Sequence, residues 1–374
     1  MKIKSVTPFA VSYPEPNDAN NIRYLVFARV EASDGTVGWG EAITQFPAST
    51  GATVRIVSDL AELVVGRDPM ENVDIWRKIK AQTWWYAHRG GPAAFALSAI
   101  DVALWDLKGK LLGQPLVNLL GGAHRDKLPV IASTHAFLPS LDAEVERHAG
   151  YVRAGYRGVK IGMGKRGDAR LGYEIERDVA FVKDLRAAIG PQAMLMMDRG
   201  QSLPWTLADA IKRTNAFEEQ GLTWIEEPLE PSDIRGFKVL RQHVKTLVAT
   251  GEREWDARGF KAFAETGIVD VVGCDVGRAE GITGTMKVIE IVEANDLWFN
   301  SHAWSSAVNT AASIALSATT ARCLIQELKP EPNPMQHELV DEPFAQHDGW
   351  IEVPRKPGLG VEPKEAVLRK YKFG

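Results

Sequence analysis

Six ionisable side chains in the second half of this chain each close a short apolar run, at nearly constant spacing. Asp198 follows Ala193–Met197, Glu226 follows Leu222–Ile225, and Glu252 follows Leu247–Gly251. Asp275 follows Val271–Cys274, His302 follows Leu297–Ser301, and Glu327 follows Cys323–Gln326. The steps between them are 28, 26, 23, 27 and 25 residues, each about the length of one strand and one helix with their two loops. Such a chain lays parallel strands side by side with one reactive group at the C-terminal end of each. In a βα barrel all of those ends meet at the active-site mouth.

The rhythm starts earlier than these six. Pro129–Ser133 and Gly158–Gly162 read as two further strands, followed by helices at Ser140–Ala154 and Tyr173–Ile189. Ser140 or Asp142 caps the first of these helices. Eight strands therefore fall within residues 128–330, and Pro330, Pro332 and Pro334 stop any helix after the last. Residues 1–127 follow a different order. Strands at Val6–Val11, Tyr24–Glu31 and Val37–Ala42, the last two joined across Asp34-Gly35, precede helices near Val54–Val65, Val73–Thr83 and Pro92–Leu112. Strands first and helices after make an α+β domain. The segment 331–374 is expected to return to it.

Length agrees: 374 residues suit a barrel of about 250 plus a second domain. A net charge of −4 offers no footing for nucleic acid or an anionic membrane. No apolar run approaches the ~20 residues that span a bilayer. Met1–Pro8 alternates like a strand and lacks a signal-peptide core, so a cytoplasmic location is expected. Cys274 and Cys323 lie in expected strands and read as small buried hydrophobes rather than a disulfide.

Asp198, Glu226 and Glu252 end three consecutive strands. Three converging carboxylates repel one another unless a cation sits between them. Hard oxygen donors without Cys or His favour Mg²⁺ or Mn²⁺ over zinc. The segments Trp224-Ile-Glu-Glu-Pro228, Met197-Asp198 and Thr250-Gly-Glu252 resemble the three metal-ligand signatures of the enolase superfamily. The helix Ala96–Lys110, with Pro115-Leu116 and Gly121 after it, is similar to that of the mandelate racemase/muconate lactonizing branch. The resemblance spans nearly the whole chain. It implies a TIM-type (β/α)7β barrel whose mouth is wrapped by the N-terminal α+β capping domain. It also implies Mg²⁺, a carboxylate substrate bound to it, and proton abstraction beside that carboxylate. Glu226 rather than Glu227 is then the ligand. Such enzymes are homo-oligomers, usually dimers or octamers, which analogy alone extends to this chain.

His302 and Asp275, at neighbouring strand ends, form the Asp–His pair that supplies a base. The resemblance gives Glu327 the role of a protonated hydrogen-bond donor to the enolised carboxylate, which requires burial to raise its pKa. The second strand departs from the family's Lys-x-Lys. Lys160 matches the first lysine and Gly162 falls where the second belongs. Lys160 then neutralises the substrate carboxylate, or is itself the base if the strand is shifted. Lys165 reads as a solvated loop charge, unless a mobile loop brings it inward. With one base, His302 removes the α-proton and protonates the departing β-hydroxyl, which favours dehydration of an acid sugar, an aldonate or aldarate. The alternatives are an epimerase, racemase or cycloisomerase using Lys160 with His302, and a non-catalytic acid-sugar-binding protein.

Arg199, His135 and Trp304 are the substrate-binding candidates, Arg199 for a distal carboxylate, or else as half of a supporting ion pair, and His135 for a hydroxyl. Pro14–Asn21 and Thr44–Gly51, rich in turn residues, are expected as lids. Trp84–Arg89 reads either as a lid or carboxylate clamp or as aromatic packing between the domains.

Overall fold

The computed structural model describes residues 1–87, 89–165 and 167–374. The chain begins with an antiparallel sheet of β1 (Ile3–Glu15), β2 (Asn21–Ala32) and β3 (Val37–Ile43). Between β2 and β3 the expected hairpin turn forms, with Gly35 at φ 89° and the Asp34 carboxylate accepting from the Thr36 amide at 3.0 Å. Four helices follow: α1 (Pro47–Val64), α2 (Asn72–Gln82), α3 (Pro92–Leu112) and α4 (Leu116–Leu119). Helix α3 opens on Pro92 and stops at Gly113, whose φ is 63°. Its apolar, alanine-rich surface is buried on β3, where a Cβ at Gly40 would lie 2.0 Å from the Ala99 carbonyl.

The barrel alternates strand and helix in strict order. It runs β4 (Lys127–His135), α5 (Leu141–Arg153), β5 (Gly158–Gly162), α6 (Ile175–Ile189), β6 (Met194–Asp198) and α7 (Leu207–Glu218). It continues through β7 (Trp224–Glu226), α8 (Ile234–His243), β8 (Leu247–Thr250), α9 (Ala257–Thr266), β9 (Val271–Cys274) and α10 (Gly281–Ala294). Strand β10 (Trp298–Ser301), α11 (Ala307–Ala318) and β11 (Gln326–Leu328) complete it. Neighbours from β4 to β10 pair in parallel, β11 pairs with β4, and a Phe299–Cys323 bridge closes the ring. Eight strands with seven intervening helices are the expected (β/α)7β barrel.

Side chains alternate across a strand, and this alternation builds the mouth. Ile131, Met196, Trp224, Ala249, Val271 and Ile325 form an apolar cluster inside the barrel, with Trp298 packed against it. Two residues further along the same strands stand Ser133, Asp198, Glu226, Glu327 and, in β10, Asn300. Strand β8 shifts phase at Gly251, whose φ of 127° lets Glu252 face the other carboxylates.

The tail first adds β12 (Trp350–Glu352) antiparallel to the start of β4. After α12 (Glu365–Lys370), it reaches β1 through Ser12 N to Tyr371 O and Phe373 N to Ala10 O, both 2.9 Å. Among the described residues no helix is long and apolar enough to cross a membrane. Cys274 and Cys323 are both buried free thiols.

The expected lids need correction. Within Pro14–Asn21, Glu15 and Lys329 form a fully buried ion pair at 2.7 Å. Asp18 holds Arg23 at 2.7 Å and Lys165 at 2.9 Å. Buried charges must be paired, so this segment is pinned to the barrel, and Lys165 is no solvated loop charge. Most of Thr44–Gly51 is the first turn of α1. In the Trp84–Arg89 stretch, His88 lies outside the described residues. Trp84, Trp85 and Tyr86 are 65%, 79% and 53% exposed, so they do not pack between the domains.

Candidate active site

Asp198, Glu226 and Glu252 converge, with one oxygen from each lying within 4.8 Å of the others. Glu227 turns away at φ 41° and is held by Arg253 at 2.6 Å. Burial and the charge of Glu226 push the Asp198 carboxyl well above its usual range. Burial also raises Glu226, against the pull of Lys160. Buried acids raised in this way attract a cation, and their all-oxygen donor set suits a hard divalent ion.

Lys160 stands at the centre of the floor. Its ammonium donates to both Glu226 oxygens at 2.9 and 3.0 Å and lies 2.9 Å from Glu327. Burial alone would lower its pKa, but Glu226, Glu327, Asp198 and Glu252 outweigh that and hold it well above normal. The β5–β6 register pairs Gly162 with Asp198 without a shift. The shift on which a base role for Lys160 depends is thus absent, and its ammonium is paired with Glu226 and Glu327.

Glu327 also differs from expectation. It accepts from Ser133 Oγ at 2.8 Å and Asn300 Nδ2 at 2.7 Å in addition to its contact with Lys160. Burial would raise its carboxyl, yet Lys160, His302 and Asn300 outweigh burial and lower it. A carboxylate ringed by donors stays ionised and accepts. The missing signal lay in Ser133 and Asn300, ordinary polar residues whose inward phase is clear only once the barrel register is known.

On the other side, His302 Nδ1 lies 2.6 Å from Asp275 Oδ2, and Nε2 lies 3.2 Å from Glu252. Burial disfavours the imidazolium, but the charges of Glu252 and Asp275 lift His302 to about 9.

The space where a second base is expected is filled. A Cβ on Gly162 would lie 2.1 Å from His135 Nδ1, so the imidazole occupies the volume a larger residue 162 would need. His135 packs edge-on against Trp304 at 4.5 Å, and Arg23 lies 4.8 Å over the Trp304 ring. Trp304 is itself held by Ser133 Oγ at 3.2 Å. Among the described residues neither buried His135 ring nitrogen has a hydrogen-bond partner. Burial, then the charges of Lys165 and Arg23, keep the ring neutral well below its usual pKa. Gly162→Ala is expected to destabilise the fold by about 1–3 kcal/mol through this collision, and His135→Ala in the same chain should recover most of the loss. Urea unfolding of the two single variants and the double variant checks it. Additive effects would show that the two positions do not compete for space.

Arg199 is not a free clamp. Its guanidinium donates to the Leu203 carbonyl at 2.6 Å and lies 3.5 Å from Glu230. Arg199 thus stands in the supporting ion pair rather than reaching for a second substrate carboxylate.

Two family models cover this architecture. Residues 143–367 match the enolase C-terminal domain-like model, and residues 6–121 match the N-terminal domain of mandelate racemase/muconate lactonizing enzymes. The chain belongs to the mandelate racemase/muconate lactonizing enzyme family. It is 32% identical to a D-gluconate dehydratase of Thermoproteus tenax, over 99% of this chain and 74% of that protein. It is 28% identical to a D-galactarolactone cycloisomerase of Agrobacterium fabrum, over 94% and 92% of the two chains. The crystal structure of the 3,6-anhydro-D-galactonate cycloisomerase from Zobellia galactanivorans superposes with a TM-score of 0.90 at 28% identity, covering all of both chains.

Proposed function

We propose that this chain is a Mg²⁺-dependent hydro-lyase that removes water from an acid sugar to give a 2-keto-3-deoxy acid. The observation that carries the reading is the one-sided disposition of base: His302 with its Asp275 partner faces the carboxylate trio, while residue 162 is glycine and its space holds a neutral ring.

Asp198, Glu226 and Glu252 would hold Mg²⁺ or Mn²⁺, and what such an ion supplies is stabilisation of the charge that develops on the substrate carboxylate. Lys160 adds a fixed positive charge beside that carboxylate. His302 Nε2 takes the proton from C2, and the electron pair of that C–H bond becomes the enediolate. As the enediolate collapses, the C2–C3 double bond forms and the C3–O bond breaks. The imidazolium returns its proton to the leaving hydroxyl, which departs as water. The enol then takes a proton at C3, loses the one on its C2 oxygen and becomes the 2-keto acid. One base thus serves both transfers, which suits syn elimination. His135, with one donor and one acceptor nitrogen, matches a substrate hydroxyl, and Trp304 sets its ring.

A stereochemically complete panel of mono- and diacid sugars, D-gluconate included, tests the reading with Mg²⁺ and detection of 2-keto-3-deoxy product. One water lost per turnover is the expected result. The cycloisomerase reading is favoured by two of the relatives above, and product formed without loss of water would establish it instead. Substrate binding with no exchange of the α-proton in D₂O would leave only the non-catalytic reading.

A further inference from the structure

The base is gripped from the capping domain. Asp275 Oδ2 faces His302, while Oδ1 accepts from Gly277 N at 2.8 Å and from Asn309 Nδ2 at 3.0 Å. The amide of Asn309 is fully committed. Its second Nδ2 proton goes to Ser305 Oγ at 2.7 Å, and its Oδ1 accepts from Ser313 Oγ at 3.0 Å. Asn309 lies in the first turn of α11, and that turn is capped from another domain. Glu41 of β3 accepts from Ser306 N at 3.1 Å, from Asn309 N at 3.2 Å and from Ser306 Oγ. Strand β3 also reaches the other grip on Asp275, through Ile43 N to Gly277 O at 3.3 Å. Glu41, Asp275, Ser305, Ser306 and Asn309 are all buried to within 2%.

A carboxylate with one oxygen on an imidazole rotates freely unless the other oxygen is fixed. Here both donors to that other oxygen are anchored to the same strand of the capping domain. A helix N-terminus with a carboxylate across it is also a favourable electrostatic arrangement, so Glu41 sets where α11 begins and hence where Asn309 stands. We propose that Asn309 is a positioning residue that fixes Asp275 against His302, and that Glu41 anchors it from the capping domain. This rests on the reading of His302 as the base.

The direct test is the downfield Nδ1–H resonance of His302, read by NMR in ¹⁵N-histidine protein, metal-free and with Mg²⁺, and assigned by its loss in His302→Asn. No substrate is needed. Asn309→Leu should broaden or remove that resonance. It should also lower kcat on the acid sugar found by the panel about 10- to 100-fold at nearly unchanged KM, the usual size of an outer-layer effect. Glu41→Gln, which keeps one acceptor oxygen, should give a smaller loss of the same kind. If Asn309→Leu does not fold, Glu41→Gln decides. A wild-type resonance and kcat in the variant that folds would overturn the proposal. Failure of the His302 reading would show differently, as full turnover in His302→Asn whatever Asn309 does.

Discussion

His302→Asn lowers kcat by at least about 10³-fold, the upper part of the range for a positioned acid/base group, and leaves the fold intact. The size follows from the single-base geometry: among the described residues no second base stands ready to take the α-proton, since the Lys160 ammonium is paired with Glu226 and Glu327 and Gly162 has no side chain. The same substitution has a stability signature. In the metal-free protein His302 sits at about 9, above its unfolded value of about 6.5. A raised folded pKa stabilises fully below the unfolded value and loses that contribution as pH rises through the folded one. Metal-free wild type should therefore lose on the order of 3 kcal/mol between about pH 6.5 and pH 9, and His302→Asn should lack that fall. A bound divalent cation shares the charge of Glu252 that helps raise the imidazole. Turnover should then rise with pH through an apparent pKa below the metal-free value. Melting curves in EDTA and kcat against pH measure the two effects. Near wild-type turnover in the variant removes His302 from the role of base.

What the sequence discloses is governed by the range of the interactions involved. Strand-end positions are local: an apolar run followed by a charge, repeated every 23 to 28 residues, is enough to place Asp198, Glu226, Glu252, Asp275, His302 and Glu327 around one mouth. Protonation states are not local. Glu327 reads as an acid to be kept neutral until Ser133, Asn300 and Lys160 are seen to donate to it from three other strands. Gly162 reads as a missing base until His135, 27 residues earlier in the chain, is found in its space. Arg199 and Lys165 carry charge without address in the sequence; their partners Glu230 and Asp18 come from a neighbouring loop and from the other domain. Pro14–Asn21 has the composition of a lid because turn residues look alike whether a loop is free or pinned. Only its buried charges reveal that it is held.

Lys160→Met is expected to cost the metal-free protein about 3–5 kcal/mol, the range for breaking a buried ion pair by removing one partner. The lysine is nearly inaccessible, and its ammonium contacts Glu226 and Glu327, themselves buried. Methionine fills a similar volume, so the loss is electrostatic rather than a cavity effect. Its dependence on pH has a definite sign. Without Lys160, Asp198 and Glu226 rise further above their unfolded pKa values and Glu327 loses the cation that lowers it, so the unfolded chain releases protons that the folded one retains. Stability of the variant then falls as pH rises above the carboxylate range and recovers in acid. Mg²⁺ should restore part of it, because a cation bound to the folded state alone stabilises by mass action. It also replaces some of the charge removed. Urea unfolding in EDTA and in excess Mg²⁺, for wild type and variant, measures the difference. Equal stability of the two proteins in EDTA would mean that the carboxylates already share protons among themselves. Lys160 would then serve the substrate carboxylate alone, and its loss would appear in kcat and KM rather than in the fold.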